Sequence, residues 1–242
     1  MKERQPNSVK PRKGKIEDER KNNVMDTQET PRSMPLLGDL APDFKAKTTE
    51  GWLTLSEYGK DSWVILFSHP ADFTPVCTTE MSGFAKRKPE FDALNAKLLG
   101  LSIDSIFAHL AWVRNVEERT GVRFNFPIIA DIKMEVANLY GMVQPGVAST
   151  VAVRAVYFID PKRVIRLILY YPLNVGRNMD EILRALKALQ LTDRAPVATP
   201  LDWQPGDEVL EHAPETMEGV DRKLAEKKPG LVDFYMVKTK VE

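Results

Sequence analysis

The feature that most constrains this chain is an alternation of short, unbroken apolar runs with longer helical stretches. Residues 61–68 (DSWVILFS) form one such run, rich in β-formers and too short for a helix, which reads as a buried strand. Residues 97–103 (KLLGLSI) and 126–130 read the same way. Residues 76–95 between the first two runs are helical in pattern, with Pro89 expected to end or kink the first helix. Asp104 and Ser105 offer an N-cap for a helix to about residue 120, stopped by Gly121. A short helix is expected over 133–140, stopped by Gly141. Residues 152–159 and 164–171 flank Asp160-Pro161 and predict a hairpin. Asn178, with Glu181 three residues on, marks a capping box for a helix running through Leu191. Strands alternating with helices and closing in a hairpin and a helix predict an α/β fold with a mixed central sheet flanked by helices.

Both ends depart from this pattern. Residues 1–33 carry nine Lys/Arg against six Asp/Glu and few apolar residues, the composition of a disordered leader. Met25 and Met34 stand where a shorter chain could begin. Order is expected from residue 34, with a main domain over 34–194. From about residue 195, prolines at 196, 200, 205, 214 and 229 interrupt segments anchored by scattered apolar residues such as Trp203 and Phe234. Residues 195–242 are therefore expected to form an extended C-terminal arm lying on its own domain or on a partner subunit. Over the whole chain 34 basic residues balance 34 acidic ones, which gives no general reason to expect nucleic-acid or membrane-surface binding. No apolar run approaches the roughly 20 residues that span a bilayer.

One cysteine in 242 residues excludes an internal disulfide and a cysteine-rich zinc site, and suits a reducing, cytoplasmic setting. Cys77 follows a buried strand and a turn bounded by Pro70 and Pro75, at the expected first turn of a helix. That crevice is where α/β folds bind ligands. The free N–H groups of a helix start favour a thiolate. Thr74, three residues earlier, is placed to turn its hydroxyl towards the sulfur, and Pro70 and Pro75 to shield it from water. On position alone, Cys77 reads equally as a small core residue or as a reagent.

The spacing Pro70-x-x-x-Thr74-x-x-Cys77 resembles the active-site motif of peroxiredoxins, and FSHPADFTPVCTTE (residues 67–80) is similar to the form carried by their one-cysteine, long-armed class. The resemblance extends to Pro42-Asp43-Phe44, to Arg154 through Asp160, to Leu169-Tyr-Tyr-Pro172 with Gly176-Arg177-Asn178, and to Val197 through Trp203. It implies a thioredoxin-like fold and reduction of hydrogen peroxide and organic hydroperoxides. Cys77 would be the attacking thiolate and become a sulfenic acid. Arg154 would hold the thiolate and, with Thr74, bind the peroxide; Pro70 would exclude water. Glu80 and Arg177 match positions that orient Arg154, against the blander reading of a surface ion pair. His69 abuts the motif, in a structural or peroxide-access role.

With no second cysteine, the sulfenic acid must be reduced by an outside thiol, either a thioredoxin-like protein or a small molecule, and is open to further oxidation by excess peroxide. No cofactor is implied. The three histidines show no metal spacing, and His109 with Trp112 reads as helix packing. Some long-armed relatives carry a phospholipase serine; the matching Ser62 stands in Gly59-Lys-Asp-Ser62-Trp-Val64 without the second glycine. Ser56 and Lys162 occupy the positions of its histidine and acid, so Ser62 is read as the start of a core strand. Two other classes compete: a peroxide sensor or chaperone whose assembly follows oxidation of Cys77, and a cysteine hydrolase with His69 as base. The arm suggests a homodimer, and the family admits rings of dimers such as a decamer.

Overall fold

The computed structural model describes residues 34–241, so the leader expected over residues 1–33 lies outside the described residues. The chain runs β1 (Lys45–Thr48), β2 (Gly51–Thr54), α1 (Leu55–Tyr58), β3 (Trp63–Ser68), α2 (Pro75–Ala93), β4 (Ala96–Ser102), α3 (Ile106–Thr120), β5 (Ile128–Ala130) and α4 (Glu135–Leu139). It continues through β6 (Arg154–Ile159), β7 (Ile165–Tyr171) and α5 (Met179–Arg194), then β8 (Val197–Ala198), β9 (Val209–Glu211), α6 (Met217–Ala225), β10 (Leu231–Asp233) and β11 (Met236–Thr239).

Seven strands form a mixed sheet in the order β2-β1-β5-β4-β3-β6-β7. β3, β4 and β5 are parallel, joined by the helical crossovers that parallel pairing requires. β6 runs antiparallel to β3 and makes the predicted hairpin with β7. Central β3 is buried at all six positions, because helices cover both faces of the sheet. Its odd-numbered residues Trp63, Ile65 and Phe67 meet α2, α3 and α5 in one core, and Val64 and Leu66 meet α1 and α4 in the other.

The predicted caps form with one half missing. Ser105 accepts a hydrogen bond from Ala108 N, and Gly121 ends α3 with φ 72°, where a Cβ would be strained. Asn178 accepts from Asp180 N and Glu181 N, but the Glu181 carboxylate pairs with Arg184, so the capping box is half made.

Pro89 neither ends α2 nor divides it: one helix runs from Pro75 to Ala93. The proline costs one N–H, and burial of Met81, Phe84 and Phe91 on the core side offsets that loss. Close packing against the sheet is possible because β4 carries Gly100, where a Cβ would lie 3.3 Å from Met81 Cε.

The segment after residue 194 carries more structure than its prolines suggest. It forms a four-stranded sheet, β10-β11-β9-β8, with α6 beside it in sequence. Val197, Trp203 and Val209 bury themselves against Ala188 and Leu191 of α5.

Candidate active site

The candidate site forms where β3 hands over to α2. Phe73 takes a left-handed backbone (φ 55°), costly for a bulky side chain, and turns the chain so that Thr74 stands at the N-cap and Pro75 opens the helix. Cys77 is thereby in the first turn of α2, where backbone N–H groups have no intrahelical partner. It shares the inward stripe of α2 with Glu80, Met81 and Phe84, and is fully buried.

Three buried charged side chains converge beside the sulfur. Arg154, the first residue of β6, points Nη1 at Cys77 Sγ at 3.3 Å and at Glu80 Oε2 at 2.7 Å. Its Nε and Nη2 donate to the Leu173 carbonyl at 2.9 and 2.6 Å, which fixes the guanidinium plane. Arg177 clamps Glu80 from the far side through Nε (3.0 Å), Nη2 (2.8 Å) and its backbone N (2.8 Å). Arg177 Nη1 also donates to the carbonyls of Ser68 and Ala155, and the guanidinium lies over the rings of Phe67 and Phe84. The Arg177 side chain has no solvent exposure and Glu80 has 4%, so this is no surface ion pair. Burial pushes the Glu80 carboxyl up, but the charge and hydrogen bonds of Arg177, with the charge of Arg154, outweigh it and hold Glu80 below its usual value. Glu80 therefore serves as one carboxylate for two guanidinium groups.

The other expected residues sit around this centre. Pro70 is buried, whereas Pro75 is exposed. The Thr74 hydroxyl donates to the Ala71 carbonyl (2.9 Å) and makes no cap bond, so it braces the loop beside the nucleophile. His69 is fully buried and bonds Asp72. Asp72 also bonds His109, so His109 is part of a charged cluster and not a packing residue alone. Sequence reasoning missed Asp72 and His109. They are 37 positions apart, and only the fold brings them together. Ser62 Oγ donates to Asn95 Oδ1 at 3.1 Å and stands one residue before β3, not within it.

A thiol at a helix start, a guanidinium aimed at it and a carboxylate anchoring that guanidinium can hold a thiolate and polarise an incoming oxygen. Comparison with known proteins agrees. The AhpC/TSA family matches residues 37–168, and the C-terminal domain of 1-Cys peroxiredoxin matches residues 188–224. The chain is 50% identical to a peroxiredoxin of Methanosarcina mazei, over 84% of this chain and 96% of that one. It is 47% identical to a peroxiredoxin of Aquifex aeolicus, over 86% and 98%. Among solved structures, the yeast mitochondrial 1-Cys peroxiredoxin superposes with a TM-score of 0.77 at 44% identity, covering 86% of this chain and all of that one. Peroxiredoxin 6 of Arenicola marina gives 0.71 at 40% identity, covering 78% and 88%. The buried thiol, its arginine clamp, the thioredoxin-like sheet and the C-terminal extension thus belong together: the chain is a member of the peroxiredoxin family, of the one-cysteine type, and a thiol-dependent peroxidase.

Proposed function

We propose that Cys77 reduces hydrogen peroxide and organic hydroperoxides with Arg154 and Thr74 as its partners at the peroxide. The observation that carries this reading is Arg154 Nη1 standing 3.3 Å from Cys77 Sγ while Glu80 and Leu173 hold the guanidinium in place. The thiolate attacks the terminal peroxide oxygen. An S–O bond forms, the O–O bond breaks, and the leaving oxygen takes a proton to become water or an alcohol. Cys77 is oxidised by two electrons to the sulfenic acid. Arginine has five N–H donors, and four are engaged as described, which leaves one Nη2 hydrogen for the peroxide. Thr74 shapes the oxygen side of the pocket, buried Pro70 keeps water out, and Glu80 and Arg177 orient Arg154.

An external thiol then reduces the sulfenic acid, because the chain has no second cysteine. Two thiols are oxidised to a disulfide, and the sulfenic oxygen leaves as water. The yeast relative is described as resolved via glutathione and thioredoxin systems, and both thiol classes are reductants for this chain in our reading. We assign the peroxidase domain to residues 34–194 and the arm to 195–242, acting as a homodimer that can close into a ring of dimers. The reducing cytoplasm suits the need for donor thiols. No helix among the described residues is long and apolar enough to cross a membrane.

Steady-state peroxide consumption with a panel of donors tests the reading. We expect turnover with at least one small thiol or thioredoxin-like dithiol, and none after Cys77→Ser. Peroxide turnover that survives Cys77→Ser would refute it.

A further inference from the structure

A second buried charged cluster adjoins the loop that leads to Cys77. His69 Nε2 is 2.9 Å from Asp72 Oδ1, and His109 Nδ1 is 2.7 Å from Asp72 Oδ2. His109 Nε2 is 3.1 Å from the Ile129 carbonyl oxygen. His69 Nδ1 is buried without a hydrogen-bond partner. The two histidine side chains have no solvent exposure and Asp72 has 1%.

Counting hydrogens separates the two imidazoles. A carboxylate and a backbone carbonyl only accept hydrogen bonds. Both nitrogens of His109 face such acceptors, so both must carry a hydrogen, and the ring is then a cation. His69 faces one acceptor, at Nε2, and needs one hydrogen; its Nδ1 keeps a lone pair. One imidazolium and one carboxylate leave the buried cluster neutral, whereas a second proton, on His69, would leave an uncompensated buried charge. The electrostatics run the same way. Burial first, and then the charge of His109, draw His69 below its usual value against the pull of Asp72 and Asp104. Burial pushes Asp72 up, but the hydrogen bonds of His109 and His69, with the charge of His109, outweigh it and hold the carboxyl low.

We infer that His109 is a positioning residue for the peroxidase reaction: a buried imidazolium that neutralises Asp72, fixes His69 as the Nε2–H tautomer, and so pins the loop running into the helix of Cys77. The link to the nucleophile is short. His69 N donates to the Leu101 carbonyl, and Asp72 N donates to Asp104 Oδ2, which also accepts from Ser102 Oγ. Ser68, just before His69, gives its carbonyl to Arg177, the clamp of Glu80. Thr74, two residues after Asp72, stands at the N-cap position of α2. Among the described residues, the ionisable groups acting on His69 are Asp72, His109 and Asp104. The kinetic part of the inference rests on Cys77 being the nucleophile; the protonation part does not.

The chain has three histidines, so long-range proton–nitrogen correlation spectra of the reduced full-length protein resolve each ring. At neutral pH, both His109 nitrogens are expected at protonated shifts and His69 Nδ1 at an unprotonated one. His109→Asn keeps a donor towards Asp72 but removes the cation. His69 should then take up the second proton, the melting temperature should fall by on the order of 10 °C, and peroxide oxidation of Cys77 should slow about tenfold or more. Protonation of His69 should also add its own pH dependence to the slower rate. The double variant Asp72→Asn, His109→Asn removes both charges together and should return His69 to its neutral signature and recover part of the melting temperature. A lone pair on either His109 nitrogen in wild type would overturn the inference. So would strictly additive losses in the double variant with the His69 signature unchanged. The three ligand-type atoms lie within 4.8 Å of one another, so Zn²⁺ that moves these signals to metal-bound shifts would overturn it as well. If His109→Asn does not fold, the wild-type spectrum alone decides. Failure of the peroxidase reading would leave that spectrum unchanged.

Discussion

In the proposed reaction, Glu80 is the residue on which the geometry beside Cys77 turns. Its carboxylate faces two buried guanidinium groups, and Arg154 reaches the sulfur from the same nitrogen that bonds Glu80. Glu80→Gln keeps the shape and removes the charge, leaving two buried cations without their counter-ion. Breaking a buried pair in this way costs about 3–5 kcal/mol. Denaturant unfolding should show that loss, and stopped-flow oxidation should slow as Arg154 loses its anchor; a variant with wild-type stability and rate would contradict the assignment. The same carboxyl predicts acid sensitivity. Its value in the fold lies below the usual 4.5. The stability it contributes is therefore complete above about pH 4.5 and is lost as the pH falls through the lower folded value. Asp72 shifts in the same direction. Unfolding midpoints measured from neutral pH downward should fall gently below about pH 6.5, where the unfolded chain protonates His69 and the fold resists it, and steeply below about pH 4.5; a profile level down to pH 4.5 would contradict this.

At the scale of elements, legibility followed burial. β3, β4, β6 and β7 were readable because strands covered on both faces, or paired as a hairpin, are apolar runs bounded by turn residues. The β1–β2 hairpin was not readable, since KAKT and GWLT are short, partly exposed and carry no long apolar run. The strands after residue 194 are two to four residues long and owe their existence to pairing, which no local signal reports. Pro89 misled for the opposite reason: a strong local breaker was overruled by tertiary burial of α2. Of the site, the Pro70–Thr74–Cys77 spacing was legible, and Arg154, Glu80 and Arg177 came with the family likeness. Asp72 and His109 were not, because a cluster bridging a loop and α3 has no spacing signature. Trp203 anchors the C-terminal sheet to α5, and it is almost wholly buried with Leu191, Val197 and Val209. Trp203→Ala should cost about 3–5 kcal/mol in the stability of that segment. Limited proteolysis or hydrogen exchange after residue 194 reads it directly, and unchanged protection there would count against the anchor.

The whole molecule combines a covered α/β sandwich with a smaller C-terminal sheet that shares an apolar face with α5. β7 is an edge strand of the large sheet, met by Gly38 and Asp39 only at Ile165, and the open remainder of such an edge invites association. We expect a dimer in sedimentation and a weaker one when the chain is cut after Arg194; an unchanged profile would remove the arm from the interface. The chemistry is simpler than the assembly, because one sulfur carries all of it. The decisive measurement is intact mass after one equivalent of peroxide without donor thiol, and again after thiol is added. The account predicts a gain of one oxygen atom, mapped to Cys77, that donor thiol removes and that Cys77→Ser never shows. Peroxide consumed with no oxygen gained at Cys77 would contradict it.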